Sequence, residues 1–171
     1  MASAKQLFPF ILKWEGGFVN DPADRGGATN KGITLATLTL WNKAHQLPAP
    51  TIADLKAITN EQVFDIFYQN YWQRFRADNI QSQKVANCLV DWLWLSGQPA
   101  ITRTQRIVGT AADGIVGPKT INAINKKNPD LLLSRLYAER IAFIDAICKN
   151  RPANQKFRNG WINRLNALKN F

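Results

Sequence analysis

The stretch from Glu15 to Thr34, EGGFVNDPADRGGATNKGIT, decides how the rest of the chain is read. Before it, Leu7, Phe10, Ile11 and Trp14 repeat at the i, i+3, i+4, i+7 spacing of an amphipathic helix. Inside it that spacing stops. Gly16, Gly17, Pro22, Gly26, Gly27 and Gly32 crowd a polar loop, with room for a short hairpin within 17–33 and for no longer strand. Helical spacing resumes at Thr34, a good N-cap, and runs to about Gln46.

Further along, Leu47-Pro48-Ala49-Pro50 forms a linker before a short helix near Ile52 to Ala57. Thr59 and Gln62 make a capping box, which opens a helix carrying Val63, Phe64, Phe67, Tyr68, Tyr71 and Phe75. A helix from about Lys84 to Ser96 ends at Gly97, a residue suited to a left-handed stop, and a shorter one covers about Ala100 to Val108. Asp113-Gly114-Ile115-Val116-Gly117-Pro118 is a turn whose proline suits the first position of the next helix. Pro129 opens a long helix to about Lys149, and a last one covers about Asn154 to Leu168. No internal repeat is present. The fold class is all-α, mainly helical.

The chain has 171 residues, 46% of them hydrophobic and including 6 Trp, 9 Phe and 3 Tyr, enough for the core of one compact unit. A charged fraction of 20% and no low-complexity tract exclude a disordered class. Two cysteines are too few for a disulfide scaffold, and one histidine leaves little for zinc. With no metal-ligand cluster and no nucleotide-binding glycine loop, neither metal nor cofactor is expected, and chemistry falls to the carboxylates. Cys88 and Cys148 lie on apolar helix faces and read as buried thiols; His45 sits in a polar stretch and reads as solvated.

No run approaches the ~20 apolar residues of a membrane span. The apolar stretch Leu7–Leu12 is shorter than a usual signal-peptide core of about 7–15 residues, and no small-residue cleavage site follows it. The protein is therefore expected to be made in the cytoplasm without a recognisable signal peptide. A monomer fits its size.

Charge is unevenly placed. The net of +10 comes mostly from residues 119–171, where 11 basic and 3 acidic side chains leave +8. Such a field attracts polyanions: nucleic acid, anionic lipid or an anionic cell wall. Nucleic acid is the weakest of these, because no helix-turn-helix and no aromatic-basic RNA signature accompanies the charge.

Glu15 follows Ile11 by four residues and Phe8 by seven, on the flank of the apolar stripe at the end of its helix. Partly apolar surroundings and the negative end of the helix dipole both favour the protonated carboxyl that a general acid needs. A solvated glutamate at a helix end is the bland alternative. Asp24 follows with eight residues between, and Thr29 follows Asp24 with four between. Glycoside hydrolysis uses such a set: an acid for the leaving oxygen and a second group for water or for the developing cation. Asp21 competes with Asp24 for the second role, although an Asx turn before Pro22 also accounts for it.

The string EGGFVNDPADRGGATNKGIT closely resembles the signature of glycoside hydrolase family 108. These are bacterial and phage N-acetylmuramidases, some called secretion activator proteins, with a helical lysozyme-like fold. The resemblance implies that Glu15 is the catalytic acid. The Glu–Asp–Thr order is also similar to the phage-lysozyme triad, with the second gap one residue shorter here, which carries Asp24 and Thr29 over as its other members. Asp91-Trp92-Leu93-Trp94-Leu95-Ser96-Gly97 with Thr104-Gln105-Arg106 resembles the family's second conserved stretch, and residues 157–164 its terminal helix. Asp113–Thr120 resembles the DG-x-x-G-x-x-T turn of peptidoglycan-binding modules, though it also serves as a plain turn. Residues 1–95 are accordingly expected to form a lysozyme-like catalytic segment, and 96–171 a peptidoglycan-binding-like helical segment packed with it.

The resemblance implies a peptidoglycan hydrolase cleaving the β-1,4 bond between N-acetylmuramic acid and N-acetylglucosamine. It would act on the cell wall after holin-type or secretion-system export, as an endolysin or a secretion activator. The expected substrate-binding residues are Asp21, Asn30, Tyr71 and Trp72. Trp72, Trp92 and Trp94 could each stack on a sugar, but their helical spacing equally suits core packing. Asp91, in an apolar helix, needs a partner if buried. A non-catalytic wall-binding protein that assists secretion is the alternative reading.

Overall fold

Threonines set the starts of three helices in the first half of the chain. In the computed structural model, which describes residues 1–20 and 27–171, helix α1 (Ala4–Trp14) leads into a two-stranded antiparallel hairpin, β1 (Thr29–Asn30) and β2 (Ile33–Thr34). Thr29 pairs with Thr34 and Asn30 with Ile33. Lys31 and Gly32 between them have φ of +49° and +77°, the mirror-image turn that matches strand twist. Helix α2 (Leu35–Ala44) is capped by Thr34, whose hydroxyl accepts from the Thr37 amide. Reciprocal capping boxes open α3 (Ile52–Lys56), with Thr51 and Asp54, and α4 (Asn60–Phe67), with Thr59 and Gln62. The second of these agrees with the sequence expectation.

The chain divides into two compact units, one of residues 8–70 and one of residues 1–7 with 71–171. In the first, Ile11, Ile33, Leu55, Val63, Ile66 and Phe67 are wholly buried. Phe8 meets Phe64 edge-on at 5.0 Å between ring centres. The buried Asn30 amide donates to the carbonyls of Leu55 and Lys56, at 3.0 and 3.1 Å, and so fastens the hairpin to α3.

The second unit is built on α5 (Gln83–Ser96), in which every residue from Val85 to Leu93 is buried. Around it lie α6 (Gln98–Val108), α8 (Pro129–Asn150) and α9 (Gln155–Lys169); α7 (Pro118–Asn125) packs on α6. Pro118 and Pro129 occupy first positions of their helices, where a missing N–H costs nothing. The mainly helical class with one short hairpin is thus the observed one.

Two local expectations need correction. The helix begun at Thr59 does not continue to Phe75: α4 stops at Phe67, and Tyr68–Trp72 form a wider π-helical turn. The extra residue per turn rotates the faces of the residues after it, and Trp72 and Phe75 both end wholly buried. Gly97 does end α5, but with φ +62° and ψ −141°, a region reserved for glycine and not the left-handed helical one.

Candidate active site

Glu15 lies one residue past α1, its amide still donating to the Ile11 carbonyl at 3.1 Å. Its carboxyl therefore leaves the helix at the end where the carbonyls concentrate negative charge. The residue is half-buried, and Ile11 on the same flank is wholly buried, as the helical wheel predicts. Gly16 and Gly17 are exposed, neither has a positive φ, and a methyl group on either would meet nothing within 4 Å among the described residues. Packing among the described residues therefore does not require glycine at these two positions.

Val19 and Thr29 exchange backbone hydrogen bonds at 2.8 Å in both directions, an isolated bridge that continues the hairpin. The chain four residues beyond Glu15 is thereby tied to the strand that carries Thr29. The Thr29 side chain is half-buried, and its hydroxyl donates to the Gly27 carbonyl at 3.2 Å. Asp21 and Asp24 lie outside the described residues. Lys31 donates to the Ile58 carbonyl and to Asn60, at 3.0 and 2.7 Å. Lys56 stands 4.7 Å over the Phe18 ring. Phe18 and Lys56 carried no signal in the sequence beyond a hydrophobic residue after paired glycines.

The other expected site residues divide by burial. Asn30 is buried and spends its amide on the two α3 carbonyls, a scaffolding position. Trp72 is wholly buried, and its indole N–H donates to Asp78 at 2.7 Å, where the Gln73 amide also donates. Its ring offers no face to a ligand, which departs from the expectation for a substrate-stacking residue. Tyr71 is half-buried, with its ring centre 4.6 Å from that of Trp94. Trp92 is core, edge-on to Phe143 at 6.0 Å. His45 is exposed and stacks on Trp41 at 3.9 Å. Cys88 and Cys148 are both free and buried, and burial pushes the Cys88 thiol up.

Asp91 does have partners. Arg140 donates to one carboxylate oxygen at 2.7 Å, and Arg164 donates twice to the other at 3.0 and 2.8 Å. The Asp113–Pro118 turn is pinned by the buried Gln105. Its amide donates to Asp113 at 2.7 Å and to the Ile115 carbonyl at 3.1 Å, and its oxygen accepts from the Gly114 N–H at 2.9 Å. Gly114, at φ +76°, also admits the Gln98 amide, which donates to its carbonyl at 3.1 Å: a methyl group there would fall 1.8 Å from the Gln98 amide nitrogen. Internal contacts thus account for the glycine of this turn.

A family model described as Glycosyl hydrolase 108 matches residues 8–97, and one described as Predicted Peptidoglycan domain matches residues 99–166. Among solved structures, SagA of Brucella abortus is 32% identical, with a TM-score of 0.83 over 98% of this chain and 91% of that one. No curated protein matches. No helix among the described residues is long and apolar enough to cross a membrane.

Proposed function

The chain belongs to the glycosyl hydrolase 108 family, and from that membership we propose that it hydrolyses the β-1,4 bond between N-acetylmuramic acid and N-acetylglucosamine in peptidoglycan, with Glu15 as the general acid. One observation carries the reading to this residue. Within the matched segment, a half-buried glutamate leaves the end of α1 beside two glycines that packing does not require.

In this mechanism Glu15 protonates the glycosidic oxygen as the bond to the anomeric carbon breaks. Asp24, with Thr29, positions water or stabilises the cation that develops; Asp21 is the other carboxylate open to that role. Tyr71 supplies a ring face for a sugar. Residues 1–95 form the catalytic segment, and 96–171 hold the wall, where the exposed basic residues of positions 119–171 meet the carboxylates of wall peptides. The site of action is the cell wall, reached through a holin or a secretion system.

The deciding experiment incubates the wild-type protein and Glu15→Gln with peptidoglycan sacculi, reduces the products and identifies them by mass spectrometry. Reduced muramic acid ends from the wild type alone are the expected result. Reduced glucosamine ends would reverse the bond specificity, and equal activity of the variant would remove Glu15 from the mechanism. Binding without products would favour the secretion-assisting wall binder.

A further inference from the structure

Between α5, α8 and α9 lies a cavity of about 100 Å³ walled by Trp92, Leu95, Phe143, Ile147 and Trp161. Ser96 and Arg140 also line it, and the two indoles bring an N–H donor each. Arg140 is already committed to Asp91 and to the Cys88 carbonyl, which leaves the Ser96 hydroxyl and the indole N–H groups as the polar groups of the lining. Leu95, 42% exposed, marks the open side. From there the aromatic surface continues along α9: the Trp161 ring lies 5.9 Å from that of Phe157, which is 48% exposed.

We infer that this cavity is a second, non-catalytic subsite that takes the acetamido group of an N-acetylated amino sugar, with the sugar ring against the Phe157–Trp161 shelf. An acetamido group joins one methyl to one amide, and so matches a mainly apolar pocket with one hydroxyl and indole N–H donors. A sugar's axial hydrogens form an apolar face that suits an aromatic shelf. The carboxylates of a wall peptide would be stranded in such a pocket, because burying an unpaired charge is costly. They suit instead the basic residues of positions 119–171 other than the buried Arg140 and Arg164. One polymer thus satisfies both the pocket and the charge around it. The inference rests on the proposed peptidoglycan activity and adds to it a location and a recognised group. The walls come from α5, within the segment matched by the hydrolase model, and from α8 and α9, within the segment matched by the peptidoglycan model.

The test uses the full chain carrying Glu15→Gln, with 15N-labelled indoles, titrated with triacetylchitotriose and, as a neutral probe without acetamido groups, with cellotriose. Trp92→Phe and Trp161→Phe assign the two indole signals. Both signals are expected to shift saturably with triacetylchitotriose and at least about tenfold more weakly with cellotriose. Ser96→Phe, which fills the cavity without removing a core residue, is expected to abolish the shifts and to weaken sacculus binding by about tenfold. Equal response to the two probes would overturn the acetamido assignment. Shifts confined to other tryptophans would overturn the location. Shifts that track protein concentration without any probe would make the pocket a contact between copies of the chain. Saturable shifts at Trp92 and Trp161 in a protein whose wild type releases no products from sacculi would keep this subsite and remove the hydrolase reading. Products without those shifts would do the reverse.

Discussion

Asp91 on α5 and Arg140 on α8, 49 residues apart, are joined at 2.7 Å with both side chains out of water. Arg164 from α9 takes the other oxygen, so one carboxylate serves two guanidinium groups. Burial pulls against the charge on Arg140, yet the Asp91 carboxylate beside it holds that guanidinium above its ordinary range. Desolvating three charges costs about as much as their attraction returns, so the cluster's contribution is to fix three helices in one arrangement. Asp91→Ala leaves two buried cations without their anion and is expected to cost about 3–5 kcal/mol. Urea unfolding of the full chain measures it, and a loss under about 1 kcal/mol would show that water or rearrangement replaces the carboxylate.

The Asp113 carboxylate accepts from the Ile115 amide and the Gln105 side chain, which hold it below the ordinary carboxylate value of 3.8. A depressed value in the folded state means a contribution fully present above the ordinary value and lost as pH falls through the lower one. Asp113→Asn keeps an acceptor oxygen but has no such titration. The melting temperature of the wild type relative to Asp113→Asn is therefore expected to be flat above about pH 5 and to fall below about pH 4. A constant difference down to about pH 2 would show that the carboxylate gains nothing from the turn.

The helices were legible because their signals are local. Thr34 and Thr59 announce caps, Pro118 and Pro129 announce first positions, and the spacing of Leu7, Phe10, Ile11 and Trp14 announces a buried face. Legibility fails where a distant partner decides. The need of Asp91 for a counter-charge could be read from its apolar helix, but not that its partners lie 49 and 73 residues away. The same pairing takes Arg140 and Arg164 inside, so the positive balance of the C-terminal part overstates what reaches the surface. The early end of α4 goes with burial of Trp72 and Phe75, and Asp78, six residues on, takes the Trp72 indole N–H. Of the residues that the sequence offers for the candidate site, Trp72 and Asn30 are buried and bonded internally, which no local signal announces.

That division between neighbours in one π-helical turn predicts opposite signatures. Trp72→Phe removes a buried N–H donor to a carboxylate and is expected to cost about 1.5–3 kcal/mol of stability with KM for soluble glycan unchanged. Tyr71→Ala is expected to raise KM with a smaller loss of stability. A raised KM and full stability in Trp72→Phe would return that residue to the substrate surface.

Gly16 and Gly17 separate folding from function most cleanly. Neither adopts a positive φ, and among the described residues neither would bring a methyl group within 4 Å of another atom. Alanine at either position should therefore leave stability unchanged or raise it by about 0.4–1 kcal/mol, because the unfolded chain loses freedom. If the space beside Glu15 is kept for a glycan strand, the same substitutions obstruct it. The double variant Gly16→Ala/Gly17→Ala is then expected to melt no lower than the wild type while kcat/KM on sacculi falls by about tenfold or more. Full activity in a fully stable double variant would mean that the paired glycines serve neither packing nor access. A drop in melting temperature would instead place a structural demand on them.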